Sequence, residues 1–255
     1  MHKIYPKTLF VGQNFEYLPT CQSTNDVAAD SISRSEPEEG LVILTDHQTA
    51  GRGQRGNHWE AQAGQNLTFS LILRPFFLNA TEQFWLNMAI SLGIADALEP
   101  LTGAMLRIKW PNDIYLDNQK LGGILIENTL QGYSIAWSVI GIGLNINQTQ
   151  FRFPTATSLL QRFPVEEEYN RPALLTTVLE RLEQRYLQLR TGQLALLKAS
   201  YLQRLFRYQE EHDFVAHNER FRGSIVGVDA TGRLAVQTGD TLRYFGFKEV
   251  EFVIG

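Results

Sequence analysis

Residues 106–127 read LRIKWPNDIYLDNQKLGGILIE and contain three β-prone runs in quick succession. The runs cover Leu106–Trp110, Ile114–Leu116 and Gly123–Glu127, and a fourth follows at Ser134–Asn145. Because they are rich in Ile and Leu and are separated by Pro, Asn and Gly, they read as strands broken by turns. The stretch therefore predicts the β-sheet of the main domain.

Segments with helical spacing lie on either side of these strands. Apolar residues recur at helical intervals from Thr81 to Leu98, and Asn170–Leu189 carries a continuous apolar stripe with Pro172 in its first turn. Further elements are predicted at Asn25–Ser33, Leu41–Leu44, Leu67–Arg74 and Leu194–Leu205. We expect the α+β class, a mixed β-sheet with flanking helices.

The pattern changes after about residue 207. Short β-prone runs follow one another from Asp213 onward, separated by turn signals at Asp229–Gly232 and Thr238–Asp240. This spacing predicts a small all-β barrel appended to the main domain. We therefore expect two domains, residues 1–207 and residues 208–255.

Composition excludes several classes of protein. Hydrophobic residues make up 44% of the 255 residues, and the formal net charge is -4, which argues against a general nucleic-acid binder. Cys21 is the single cysteine, so an intramolecular disulfide cannot form. We expect no signal peptide, because the N-terminal residues lack a long apolar core followed by small residues, and no apolar run approaches the length of a membrane span. We expect a cytoplasmic protein without nucleic-acid or membrane partners.

The most unusual stretch is residues 48–59, QTAGRGQRGNHW. Its glycines let backbone N–H groups converge on an anion, and an arginine fork can grip a carboxylate or phosphate through two hydrogen bonds. The pattern indicates a loop that binds anions. The alternatives are a solvated turn or an arginine–glycine contact to nucleic acid, and for Trp59 a place in the core.

A second group of polar residues interrupts the β-prone stretch. Pro111 should break strand pairing, which leaves Asn112 and Asp113 at a strand interruption. Asp113 could hold Mg²⁺, and Lys120 precedes a Gly-Gly pair that allows a ligand close to the backbone. The alternatives are a turn residue for Asp113 and a surface lysine for Lys120. Asn145, at the end of an apolar strand, is either a ligand for phosphate or metal or a turn residue.

Taken together and in this order, the motifs resemble the biotin–protein ligase family. The resemblance rests on the segments Ser23–Asn25, Gln48–Trp59, Gly64–Ser70, Lys109–Asp113, Lys120–Glu127, Gly141–Asn147 and Ala156–Leu159. The C-terminal β segment is similar to the family's small SH3-like barrel. Because only a short segment precedes Ser23, we expect the form of the enzyme that has no N-terminal DNA-binding domain and no repressor function.

The resemblance implies a role for each motif. Biotin would be bound by Ser23, Thr24, Asn25, Gln48, Gly51, Arg52, Gly53, Gln54, Lys120, Gly122 and Gly123. ATP would be bound by Arg52, Arg55, Trp59, Asn112, Lys120 and Asn145. Lys120 and Arg52 would be the catalytic residues, and Asp113 would hold Mg²⁺.

The implied reaction has two steps. Biotin and MgATP form biotinyl-5'-AMP, and biotin then passes to a lysine of a biotin carboxyl carrier protein or domain of a biotin-dependent carboxylase. An exposed sheet edge could support a homodimer. The alternatives are a lipoate or octanoate–protein ligase, a non-catalytic biotin-binding sensor, and an RNA-binding module that uses Arg52 and Arg55.

The sequence departs from the family in the glycine-arginine loop. Gln54 and Asn57 stand where bacterial members commonly carry arginine, and an arginine is instead found at Arg55. Adjacent residues of an extended loop point apart. We therefore hypothesise that Arg55 does not replace the missing arginine in retaining the adenylate.

Overall fold

The computed structural model describes residues 4–254, and the side chain of Arg55 lies outside the described part. The main domain contains seven strands: β1 Phe15–Cys21, β2 Val42–Gln48, β3 Leu67–Leu73, β4 Arg107–Lys109, β5 Asp113–Leu116, β6 Gln119–Gln131 and β7 Ser134–Leu144. Its helices are α1 Thr24–Ser35, α2 Phe84–Thr102, α3 Leu159–Arg162, α4 Arg171–Arg190 and α5 Leu194–Arg204.

The seven strands form one sheet in the order β1-β2-β3-β7-β6-β5-β4. The β1–β2 pair is parallel and the other pairs are antiparallel, so the sheet is mixed and the expected fold class is confirmed. The interruption expected at Pro111 is the turn between β4 and β5, and the Trp110–Pro111 peptide bond is cis.

Helices cover both faces of the sheet. Val42 and Leu44 are buried in the large core shared with α2, α4 and α5. Between them, Ile43 points to the other face and packs with Ala28 of α1 and Trp137 of β7. This alternation follows from the two-residue repeat of a strand. The face covered by α1 carries the site described below.

A second sheet follows α5. Its strands are β8 Glu211–Ala216, β9 Glu219–Val228, β10 Leu234–Thr238, β11 Thr241–Phe245 and β12 Glu251–Phe252. They pair antiparallel in the order β11-β10-β9-β8-β12, which confirms a small C-terminal β domain; among the residues described, β11 and β12 are its edges. The boundary at residues 207–208 stays a prediction.

The two sheets are joined by a buried contact. Trp110 Nε1 donates a hydrogen bond to the Gly232 carbonyl oxygen at 2.9 Å. The ring of Phe247 lies 5.3 Å from that of Trp110, centroid to centroid. A Cβ on Gly232 would approach the Phe84 ring to 2.7 Å, so α2 packs directly on this turn. Across residues 4–254, no helix has the length and apolarity that a membrane crossing requires.

Candidate active site

A cavity of about 500 Å³ lies on the α1 side of the main sheet, beside the second domain. It brings together most of the residues predicted from sequence. Those that line it are Ser23, Thr24, Asn25, Gln48, Arg52, Gly53, Gln54, Trp59, Asn112, Asp113, Lys120 and Gly123. The glycine-arginine loop and Lys120 therefore face the same space.

One end of the cavity, its floor, is a hydrogen-bonded network at the start of α1. Gln48 Oε1 accepts hydrogen bonds from Thr24 N at 2.8 Å and from Thr24 Oγ1 at 3.2 Å. Ser70 Oγ lies 2.7 Å from Thr24 Oγ1 and 2.6 Å from Asn25 Oδ1. Among the residues described, the Ser23 side chain makes no capping bond at the N-cap of α1, and Gln48 is the side chain that accepts from the first N–H of the helix. Ser23 lines the cavity.

Two glycines of β7 make room for the polar residues of the site. A Cβ on Gly141 would come within 2.3 Å of Asn25 Oδ1, and a Cβ on Gly143 would come within 2.3 Å of the Trp59 ring. Real Cβ atoms do not approach other atoms so closely. The glycines therefore allow α1 and the loop to lie flat on the strand.

The glycine-arginine loop is a narrow hairpin. Trp59 N donates to Gly51 O at 3.0 Å, and Gly53 N donates to Asn57 O at 2.7 Å, with a 3-10 turn at Gln54–Gly56. These bonds hold both ends of the loop together over the cavity.

Arg52 fixes the loop to the main domain through two carboxylates. Its NH1 and NH2 atoms donate to Glu127 Oε1 and Oε2, both at 2.9 Å, and NH2 also donates to Asp26 Oδ1 at 2.7 Å. The hydrogen bonds to Glu127, with the charges of Glu127 and Asp26, raise the pKa of Arg52 against the effect of burial. The guanidinium therefore remains charged, and its two terminal nitrogen atoms both contact the Glu127 carboxylate.

Lys120 faces the cavity because of a β-bulge. Tyr115 pairs with Lys120 and Ile114 pairs with Gly122, so Leu121 has no partner in β5. The extra residue turns Lys120 to the same side as Gly123 and Asp113. Lys120 Nζ lies 2.7 Å from Asp113 Oδ1 and 5.7 Å from the centroid of the Trp59 ring.

Lys109 is a second cavity lysine, which the sequence did not single out as a site residue. It pairs with Asp113 across the β4–β5 hairpin, and its Nζ lies 4.9 Å from the centroid of the Phe252 ring. Burial lowers the pKa of Lys109, and the charge of Asp113 partly offsets this effect. Burial also raises the pKa of its neighbour Tyr115 to about 12.

The structure places three predicted site residues outside the cavity lining. Gly122 packs on β7, where a Cβ would lie 2.8 Å from Gly143 O, and Gly51 closes the loop hairpin against Trp59. Asn145 Nδ2 donates to Thr157 O at 2.9 Å, and the buried Asn145 Oδ1 has no hydrogen-bond partner in the part of the chain that the structure describes. Arg55 is the remaining predicted site residue, and its side chain lies outside the described part of the chain.

Several lining residues escaped the sequence reasoning. They are Asn57, His58, Thr68, Lys109, Lys248, Glu251 and Phe252. Lys109 lies within the Lys109–Asp113 motif, so a signal for it was available. Residues 248–252 reach the cavity because the second sheet folds against the first, and no local pattern signals that contact.

The acidic residues of the site fit Mg²⁺ only when the ion is also bound by the phosphates of a substrate. In the part of the chain that the structure describes, His, Cys, Asp and Glu side chains form no group of three or more that could hold a metal. Asp113 is a single carboxylate beside two lysines. Mg²⁺ commonly keeps several waters and binds one or two carboxylates together with substrate phosphates, and Asp113 fits that arrangement.

Comparison with known proteins identifies the family. The model of the biotin/lipoate A/B protein ligase family matches residues 17–145. The chain belongs to this family. Among its curated members, the bifunctional ligase/repressor BirA of Bacillus subtilis is 31% identical over 251 residues, which cover 96% of this chain and 76% of that protein. The biotin–acetyl-CoA-carboxylase ligase of Mycobacterium tuberculosis is 32% identical over 188 residues, 71% of this chain and 68% of that protein.

Solved structures of the family have the same fold. The biotin protein ligase of Aquifex aeolicus in complex with biotin and ATP superposes with a TM-score of 0.78 at 25% identity. The match covers 95% of this chain and 100% of that one. The superposition therefore includes the second domain as well as the main sheet.

Proposed function

We propose that this protein is a biotin–protein ligase that adenylates biotin with MgATP and transfers biotin to a lysine of a carrier protein. The observation that carries the proposal is the shared cavity: Lys120 and the glycine-arginine loop line one space with a polar floor. Relatives named as biotin ligases and a neighbour with biotin and ATP bound support the choice of substrates.

In the first step, a carboxylate oxygen of biotin attacks the α-phosphorus of ATP, and the bond to pyrophosphate breaks. Two anions must meet, so cationic groups have to offset their repulsion and the charge of the transition state. Lys120 is placed for this role, and Lys109 adds a second positive group on the other side of Asp113, since β5 lies between β4 and β6. Asp113 would hold Mg²⁺, which supplies charge neutralisation to the phosphates.

The floor of the cavity would bind the ring of biotin. Thr24, Gln48 and Ser23 offer polar groups close together, and the ureido group of biotin needs fixed donors and acceptors. The carboxylate would then point towards Lys120 and the loop. Asn112, held by its Nδ2 donating to Ile124 O, and Trp59 lie on the side where the nucleotide would bind.

In the second step, the amine of a carrier lysine attacks the acyl carbon of biotinyl-5'-AMP, and AMP leaves. The mixed anhydride reacts with water, so the cavity must exclude water until the carrier arrives. The hairpin at residues 51–59 covers the cavity and serves this purpose.

The remaining proposals concern where and with what the protein acts. The partner would be the biotin carboxyl carrier protein or domain of a biotin-dependent carboxylase. The half-buried Cys21 suits the reducing cytoplasm. A homodimer would form along the β1 edge of the main sheet, because residues 205 and 206 already bridge the β4 edge at Ile108.

The test is transfer of biotin to a purified carrier domain in the presence and absence of ATP, followed by mass spectrometry. We expect one biotin per carrier, dependent on ATP. Parallel reactions with lipoate and octanoate separate the enzyme alternatives, because acylation by those acids in preference to biotin would contradict the proposal. Calorimetric binding of biotin without ATP-dependent transfer would instead indicate a sensor.

A further inference from the structure

A continuous series of hydrogen bonds runs from the cavity floor to the glycine-arginine loop. Thr24 meets Ser70, Ser70 meets Asn25 Oδ1 at 2.6 Å, and Asn25 Nδ2 donates to Glu127 Oε2 at 2.6 Å. Glu127 then accepts both bonds from Arg52. Glu127 is thus the link between the floor and the loop.

Asn25 is held too firmly to turn between partners. Its side chain is buried, its Oδ1 accepts from Ser70, and its Nδ2 also reaches Leu125 O at 3.4 Å. A Cβ on Gly141 would collide with it, so the amide fills a space left by that glycine. Asn25 therefore fixes the orientation of the Glu127 carboxylate.

The two carboxylates on Arg52 differ in quality. Both side chains are partly exposed, Glu127 by 40% and Asp26 by 51%. Glu127 makes the two-bonded contact that matches the planar guanidinium and is also bonded by Asn25, whereas Asp26 makes a single bond. A partly exposed ion pair contributes little unless its geometry is good, and only the pair with Glu127 has two bonds. The carboxylate of Glu127, whose orientation is fixed by Asn25, is therefore the one that can hold Arg52 in place.

We propose that Glu127 is a positioning residue that holds the glycine-arginine loop over the cavity through Arg52. This role rests on the proposed function. A loop held by Glu127 would present Gly53 and Gln54 to the phosphates of ATP during adenylation. Glu127 acts through Arg52 and does not line the cavity itself. Its loss should release the loop while the floor remains intact.

The first experiment measures hydrogen exchange of the ligand-free protein, which does not depend on any activity. Glu127→Gln keeps an acceptor for Asn25 but loses the two-bonded ion pair. We expect amides of residues 51–59 to exchange about fivefold faster, with the rest of the main sheet unchanged. Asp26→Asn is the matched control and should change exchange less than twofold, because the pair with Glu127 remains.

A double-mutant cycle shows whether Glu127 acts through Arg52. In an Arg52→Gln background, Glu127→Gln should give no further increase in loop exchange. Glu127→Asp keeps the charge but withdraws it by one methylene, so its exchange rate should lie between those of wild type and Glu127→Gln. Wild-type exchange in both Glu127 variants, or a full additional effect in the Arg52→Gln background, would overturn the proposal.

The kinetic test separates positioning from a general loss of structure. In Glu127→Gln we expect the kcat of biotin-dependent pyrophosphate exchange to fall at least about tenfold, while the biotin Kd changes less than about threefold and the Tm stays close to wild type. Equal losses in biotin affinity and kcat would assign Glu127 to the floor instead. A wild-type protein without pyrophosphate exchange would refute the proposed function. The hydrogen-exchange rates of residues 51–59 would still test the role of Glu127.

Discussion

Lys120 owes its place in the cavity to the unpaired Leu121 beside it. The ammonium group lies between Asp113 and the Trp59 ring, where the carboxylate of one substrate and the α-phosphate of the other would meet. Asp113 and the Trp59 ring hold the Lys120 side chain in place, and a positive group that is already fixed stabilises developing charge most effectively.

We expect Lys120→Ala to lower biotin-dependent pyrophosphate exchange by about a hundredfold to a thousandfold, since it removes a fixed positive charge from the transition state. Circular dichroism and the Tm should remain close to wild type, because Lys120 is partly exposed. Lys198→Ala on α5 is the control and should retain full exchange. Near-normal exchange in Lys120→Ala would remove this residue from the mechanism.

Gln54 and Arg55 differ in what each can do for the adenylate. Gln54 lines the cavity, as its position in the hairpin requires. We expect Gln54→Ala to release biotinyl-5'-AMP faster, by about tenfold, because one hydrogen bond to a charged group is lost. Arg55→Ala should release it at the wild-type rate, measured by trapping the released adenylate. Faster release from Arg55→Ala alone would show that Arg55 is the retaining residue.

At the scale of elements, β7 is the strand on which the site depends. It pairs with both β3 and β6, and its glycines receive Asn25 and Trp59. The strand is therefore both the centre of the sheet and the surface against which the loop is seated.

We expect Gly143→Ala to displace the Trp59 ring, destabilise the protein by about 1–3 kcal/mol through overpacking, and impair adenylation. Denaturant unfolding and pyrophosphate exchange measure the two effects. Ile140→Val, on the opposite face of the same strand, should cost about 0.5–1.5 kcal/mol and leave exchange intact. Normal exchange in Gly143→Ala would mean that Trp59 is not needed where the structure puts it.

Much of the fold could be predicted from local patterns. The runs at Ile114–Leu116 and Ser134–Asn145 correspond to β5 and β7, and the apolar stripe of Asn170–Leu189 corresponds to α4. The sequence reasoning missed β1, because its residues are half-exposed at the sheet edge and lack a clear apolar face. It also ended α1 too early, at Ser33, where the helix continues to Ser35 through polar residues.

The site could be predicted only where its residues lie close together in sequence. Lys120 and Asp113 belong to adjacent strands, so their meeting follows from a short hairpin. Glu127 was part of a motif, but its contact with Arg52 depends on how the loop folds back across the sheet. Phe252 reaches the cavity from the second domain, which no local pattern could indicate.

At the scale of the whole molecule, the cavity depends on contact between the two sheets. Residues 248–252 form one wall, and the Trp110–Gly232 hydrogen bond joins the β4–β5 hairpin to the second domain. The orientation of the domains therefore sets the width of the cavity on the Lys109 side.

We expect Trp110→Phe to lower the free energy of unfolding by about 1–3 kcal/mol, because the buried Gly232 carbonyl loses its donor. The KM for ATP should rise, since Trp110 itself lines the cavity and the wall formed by residues 248–252 is less firmly held. Trp85→Phe on α2 removes an indole elsewhere and serves as the control. An unchanged KM for ATP in Trp110→Phe would show that the Trp110–Gly232 contact does not shape the nucleotide site.

The cavity is assembled from segments as far apart in the chain as Thr24 and Phe252. Contacts so distant in sequence are costly to close and form slowly. During refolding from denaturant, the secondary structure of the main sheet should therefore recover before the ability to bind ligand. Comparison of far-ultraviolet circular dichroism with the return of biotin-dependent pyrophosphate exchange, which needs both ends of the cavity, would make the reaction itself a reporter of the final folding event.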